Sequence, residues 1–255
     1  MNGKRMILFA VGAALLITVA VFVGVLILGG GQTAQVTLPE ITENGDLSAE
    51  TPENGTDGVV SAQVNRETVQ AVIESLERPA SYHRTVETQL FWSGGSRRSK
   101  AELWQRGGLI RLDVEEGGSI KHLILTEDTL YIWYNDETGL YSAPLSELGG
   151  DLTQLAEEFS AVPGYERVLQ LEPEQIQSAS YSQLEGKNCI YVRAQTRDLD
   201  YIEEYYIEVK TGLLLASTAY DGETLVYEMK AGAAELTAPE DALFCLPGEE
   251  TPLTS

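Results

Sequence analysis

Basic residues are scarce in this chain: 17 Lys and Arg stand against 39 Asp and Glu, a formal net charge of −22 over 255 residues. Binding to nucleic acid needs clustered Lys and Arg to neutralise phosphates, so no nucleic-acid partner is expected. Docking of a basic patch on anionic lipid is not expected either. A charge of this size chiefly keeps a protein soluble. Cysteine and histidine are equally sparse, with Cys189 and Cys245 the only thiols and His83 and His122 the only imidazoles. That excludes a zinc cluster and a disulfide framework of the small secreted kind. The two histidines fall on separate predicted strands without a further Cys or His at ligand spacing, so no metal and no cofactor is expected. A bridge between the two cysteines would close a loop of about 57 residues, worth up to roughly 4 kcal/mol by chain entropy; bridged and free thiols both remain open. No catalytic motif is present. The pairs Glu203-Glu204 and Glu115-Glu116 supply adjacent carboxylates, yet neighbours in a strand point to opposite faces. Both pairs are read as solvated, and the chain as not an enzyme.

Long hydrophobic runs are represented once. Met6 to Leu28 is apolar and uncharged, and 23 residues at about 1.5 Å each make a helix of roughly 35 Å, enough to cross a bilayer. Lys4 and Arg5 precede it and the next basic residue is Arg66, which keeps the N-terminus cytoplasmic and exports the remainder of the chain. The competing reading is a cleaved signal peptide, which calls for a shorter apolar region and a small-x-small site. The run is longer than that and Gly29-Gly30-Gly31 is a poor site, so 1–29 is taken as a cytoplasmic stub and transmembrane anchor. Residues 30–62 carry acids, Gly, Thr and Pro without Lys, Arg or an aromatic. Such a composition does not offset the entropy of ordering and predicts a flexible acidic tether with a reach of roughly 30 Å. Residues 63–255 are left as one extracytoplasmic domain.

Within that domain Asn65 is a predicted N-cap, and Val69, Val72, Ile73 and Leu76 recur at helical spacing before Pro79, giving one amphipathic helix of about three turns. From Ser81 the period becomes two. Runs from Ser81 to Trp92, Lys100 to Arg106, Leu109 to Val114, Ser119 to Leu125 and Leu130 to Tyr134 are separated by Gly-rich turns, which predicts an antiparallel sheet curling toward a barrel. Leu145, Leu148, Leu152, Leu155, Phe159 and Val162 then return to helical spacing, with Gly149-Gly150 as a break and Asp151 as a cap, predicting two short helices. Strands resume over Ser178 to Leu184 and Asn188 to Gln195. The strongest local signal comes next: residues 200–231 hold three runs of aromatic and β-branched residues, broken at Thr211-Gly212 and Asp221-Gly222, as a three-stranded meander. Asp241 to Pro247 is read as a short apolar plug with a frayed end beyond it.

The order of these elements, with Glu208-Val209-Lys210-Thr211-Gly212-Leu213, Tyr220-Asp221-Gly222, Val226-Tyr227, Leu243-Phe244-Cys245-Leu246-Pro247 and Asp128-Thr129-Leu130-Tyr131-Ile132-Trp133-Tyr134, resembles the LolA-like superfamily over roughly residues 63–248. The resemblance implies an α+β fold: a curved antiparallel sheet forming a half-open β-barrel lidded by short helices, here preceded by one transmembrane helix. It implies a non-enzymatic binder whose partner is a lipid or an acylated protein held in the barrel. The candidate cavity residues are Trp104, Ile110, Leu112, Ile132, Tyr205, Ile207 and Leu215, with Tyr131, Trp133, Tyr201 and Tyr206 as further aromatics; the competing reading is ordinary strand residues. A tethered carrier does not shuttle across a periplasm, so the alternative function is an envelope regulatory or assembly factor that binds another protein through its curved sheet, without a small ligand.

Overall fold

The computed structural model describes residues 63–254 apart from 136–138, 149–151 and 197–199. The apolar run 6–28, the linker 30–62, the Gly149-Gly150 break and the Asp151 cap all lie outside the described residues. Among the described residues no helix is long and apolar enough to cross a membrane. Residues 63–255 form a compact unit of their own, with one hydrogen-bonded sheet and its own core, which is what a separately folding domain requires.

The unit begins with α1 (Val69–Ser75), followed by β1 (Ser81–Trp92), β2 (Gly95–Arg106), β3 (Leu109–Glu116), β4 (Ser119–Leu125), β5 (Thr129–Tyr134) and β6 (Tyr141–Pro144). Three short helices come next, α2 (Leu145–Leu148), α3 (Leu152–Ser160) and α4 (Glu166–Leu169). The chain closes with β7 (Ile176–Leu184), β8 (Lys187–Gln195), β9 (Ile202–Glu208), β10 (Leu214–Asp221), β11 (Thr224–Ala231) and a 3₁₀ turn at Asp241–Phe244. All eleven strands form one sheet in the order β6-β5-β4-β3-β2-β1-β11-β10-β9-β8-β7. Every pairing is antiparallel. The sheet is therefore two meanders joined where β1 meets β11, and it stays open between β6 and β7.

Tight turns set the registers. Glu116 pairs with Ser119, and the Gly117 and Gly118 between them have φ of 61° and 88°, the two positive values that a two-residue hairpin turn demands. Register shifts at Ala219/Tyr220 and Leu214/Ala216 in β10, and at Ile176/Ser178 in β7, are the irregularities by which long sheets bend.

Alternation gives the sheet an inner face covered by the helices and an outer face. The inner face carries Leu103, Leu112, Leu123, Leu125, Leu130, Ile190, Val192 and Ile207, each at most 8% exposed. At about 25 cal/mol per Å² of apolar surface, burial of this layer contributes substantially to folding. Side chains close the helix ends. Gln70 Nε2 donates to the carbonyls of Val168, Leu169 and Leu171 at 3.0, 3.2 and 2.8 Å, capping α4. Arg78 donates to Ile73 O and Leu76 O at 2.6 and 2.9 Å, capping α1. Both helices thus have orphan carbonyls satisfied by side chains.

Four expectations change. The first helix has seven residues rather than three turns; Asn65 Oδ1 accepts from the amides of Glu67 and Thr68 at 2.8 and 3.1 Å, capping the turn that leads into it. The strand beginning at Lys100 starts at Gly95, because β1 runs the full length opposite and supplies partners for residues without a hydrophobic pattern. The helical stretch holds three pieces instead of two, preceded by the unpredicted β6. The tail beyond Pro247 folds back, with Cys245 bridged to Pro252 through the backbone and Leu253 N donating to Phe244 O at 2.9 Å.

Candidate functional site

A cavity of about 670 Å³ lies where β9, β10 and β11 meet the segment after α3. Register builds its floor. Ala219 of β10 stands opposite Tyr227 of β11 and Glu203 of β9, and Ser217 stands opposite Tyr205. The bulge at Ala219/Tyr220 interrupts strict alternation there, and the consecutive pairs Thr218-Ala219 and Val226-Tyr227 both border the cavity. Leu90 and Phe91 from the end of β1, Thr196 and Tyr201 from the β8–β9 connection, and Ala161 and Pro163 complete the wall. Ala161 has φ of 58°, the left-handed conformation that commonly ends a helix; it turns the chain out of α3 beside the cavity.

One end of the cavity is ionic. Arg167 Nη2 donates to Glu203 Oε1 and Nη1 to Glu157 Oε1, both at 3.0 Å, and Nε donates to the Tyr205 hydroxyl at 3.2 Å. The Tyr205 hydroxyl donates to Glu203 Oε2 at 2.5 Å. The Glu203 side chain is 10% exposed, so its charge depends on these partners. Burial, reinforced by Glu203, pushes the Tyr205 hydroxyl far above its ordinary pKa. Burial opposes the Arg167 charge, but Tyr205 and Glu203 outweigh it and the guanidinium is held more firmly protonated. Burial also raises the Tyr227 hydroxyl.

A second cavity of about 140 Å³ lies between the inner face of β1–β3 and α3. Tyr82, Leu103, Ile110, Leu112 and Arg84 border it. Arg84 is 5% exposed; its Nη1 donates to Leu214 O at 2.7 Å, and its Nε has no partner. The two cavities share Glu157 and Pro163.

The seven cavity candidates are thereby dispersed. Tyr205 borders the larger cavity, as does Tyr201, while Ile110 and Leu112 border the smaller. Ile207 and Leu215 are buried in the core at 0% and 6% exposure and Ile132 is half-buried on β5; none of these three borders either cavity. Trp104 belongs to the other side of the sheet, since its neighbour Leu103 faces inward. There it stacks on His83 at 5.0 Å, with the Arg111 guanidinium 5.7 Å from its ring centroid. Arg111 also lies 5.8 Å from the Trp133 ring, and Trp133 stacks on His122 at 5.1 Å. Asp113 ties this ladder together, accepting from Arg111 at 2.9 Å and pairing with His122 Nδ1 at 2.8 Å. The histidines are thus parts of an outer-face packing layer. Among the described residues no group of three or more His, Cys, Asp or Glu is placed to hold a metal.

Glu203 corrects the solvated reading of its pair. Glu204 does face outward, bonded to Arg193 and the Tyr191 hydroxyl at 2.8 Å each, but Glu203 is buried inside. The signal for it is its place two residues before Tyr205 and four before Ile207, on the apolar face of β9. Arg167, Glu157, Ala219 and Tyr227 carry no comparable mark, because their meeting depends on pairing across strands distant in sequence. Cys189 and Cys245 are free thiols. Cys189 lies on β8, whereas Cys245 follows the turn whose Phe244 packs under Arg106 of β2. Five strand steps separate β2 from β8, about 24 Å along the sheet, and a disulfide needs Cα atoms within about 7 Å.

No family model and no curated protein matches the chain. Its structure is similar to an uncharacterized conserved protein from Thermus thermophilus, with TM-score 0.48 and 13% identity, covering 72% of this chain and 97% of that one. It is also similar to a LolA superfamily protein from Nitrosomonas europaea, with TM-score 0.34 and 8% identity over 72% and 98% of the two chains. A DUF1329 family protein from Desulfovibrio piger is similar with TM-score 0.29 and 10% identity, over 70% of this chain and 94% of that one.

Proposed function

We propose that the protein is a membrane-anchored, extracytoplasmic, non-enzymatic binding protein that holds the apolar chain of a lipid or an acylated protein in the larger inner-face cavity. The observation that carries this reading is the cavity itself. At about 670 Å³ it falls within the roughly 300–1,000 Å³ of small-molecule sites, and it has their composition, an apolar wall with a few convergent polar groups. Leu90, Phe91, Ala161, Pro163, Ala219 and Val226 supply the apolar wall. A sheet filled by its own side chains would instead favour a purely protein-binding role.

N-Phenyl-1-naphthylamine, an apolar dye that brightens out of water, tests the reading. The expected result with residues 63–255 is saturable binding at one site per chain; a titration with no saturable component would contradict it. The anchor is a separate part of the proposal and rests on residues 6–28. Full-length protein is expected to stay with membranes after alkaline carbonate washing, and recovery in the wash would contradict the anchor.

A further inference from the structure

We propose that the larger cavity selects amphiphiles whose polar end is an ammonium or another hydrogen-bond donor, and rejects those ending in a carboxylate or phosphate. This deepens the binding role just proposed and rests on it.

The inference comes from the charges on the cavity wall. Among the described residues that border it, Arg167 is the one cation, and Glu157 and Glu203 are the anions. These described wall residues carry one more negative than positive charge. Arg167 is already committed to the wall: Nε donates to Tyr205, Nη1 to Glu157 and Nη2 to Glu203. An incoming carboxylate competes with Glu157 and Glu203 for that one guanidinium, and it meets both in a partly desolvated site where like charges repel strongly.

The acceptor side is not saturated. Glu203 uses Oε1 for Arg167 and Oε2 for Tyr205, whereas Glu157 uses Oε1 alone. Glu157 Oε2 accepts no hydrogen bond among the described residues, and the side chain keeps 20% of its surface exposed. It is the open acceptor for an ammonium, and a charge-assisted hydrogen bond there is shorter and stronger than a neutral one. The chain's net charge of −22 adds a long-range field of the same sign.

Displacement of N-phenyl-1-naphthylamine from residues 63–255 by decylamine, decanol and decanoate at neutral pH separates head group from chain. Decylamine is expected to displace the dye at about one-tenth of the decanoate concentration or less, a difference of one charge-assisted contact. In Glu157→Gln the preference for decylamine over decanol and decanoate is expected to fall at least severalfold. Decanoate competing as well as decylamine would overturn the head-group inference and leave the binding role intact. Decanoate binding that is lost in Arg84→Gln would likewise overturn it, by placing the head group in the smaller cavity. An amine preference untouched in Glu157→Gln would overturn the assignment of Glu157. Failure of the dye itself to bind would defeat the underlying reading, a result distinct from the others.

Discussion

Phe244→Ala lowers the unfolding free energy of residues 63–255 by about 3–5 kcal/mol, the usual loss for a large aromatic removed from a packed site. Phe244 is completely buried although it belongs to the last helical turn among the described residues. The Arg106 guanidinium lies 4.6 Å from its ring centroid, and the neighbouring Leu243 carbonyl accepts from Arg111. Truncation therefore removes a cation–π contact, itself worth about 0.5–2 kcal/mol, and leaves a cavity under the C-terminal segment. It also loosens the fold-back in which Leu253 N reaches Phe244 O. Because domains of this kind are stable by about 5–15 kcal/mol, the change should be plain in urea denaturation as a lower midpoint. A loss within about 0.5 kcal/mol, the typical surface value, would mean that the tail is not part of the core.

Ala219→Trp is expected to do the reverse, weakening dye binding while sparing the fold. Ala219 is buried on β10, between Glu203 and Tyr227 of the adjoining strands, and borders the larger cavity. Overpacking a filled core costs about 1–3 kcal/mol, but an indole at this position enters empty volume and is expected to cost little. It occupies the space the apolar chain would take. Dye affinity should fall at least about tenfold, equivalent to about 1.4 kcal/mol, with the urea midpoint nearly unchanged. Wild-type affinity in this variant would place the ligand elsewhere on the protein.

The sheet is largely legible in the sequence because its signals are local. Alternation in β3, where Ile110, Leu112 and Val114 are all buried, and tight turns such as Gly117-Gly118 each need only a few adjacent residues to be recognised. Elements defined by their partners are not legible. The first half of β2, from Gly95 to Ser99, is polar on both faces and becomes a strand because β1 pairs with it throughout. The four residues of β6 end in Pro144, tolerated because β6 is an edge strand, and nothing in their own pattern marks them. The site is less legible still. Tyr205 can be found from the apolar face of β9. The convergence of Arg167 with Glu157 and Glu203 joins α4, α3 and β9, and no short window of sequence contains it. Trp104 shows the opposite failing: strand aromatics suit an outer packing layer as well as a cavity, and one residue of register decides between them.

Native mass spectrometry of the protein purified from membranes, wild type beside Ala219→Trp, tests the central claim most directly. A mass excess that organic solvent releases as an amphiphile is expected on the wild-type protein, beside an unloaded variant that is equally well folded. An unloaded wild type, or the same bound mass on both proteins, would contradict the claim that the larger cavity holds an apolar chain.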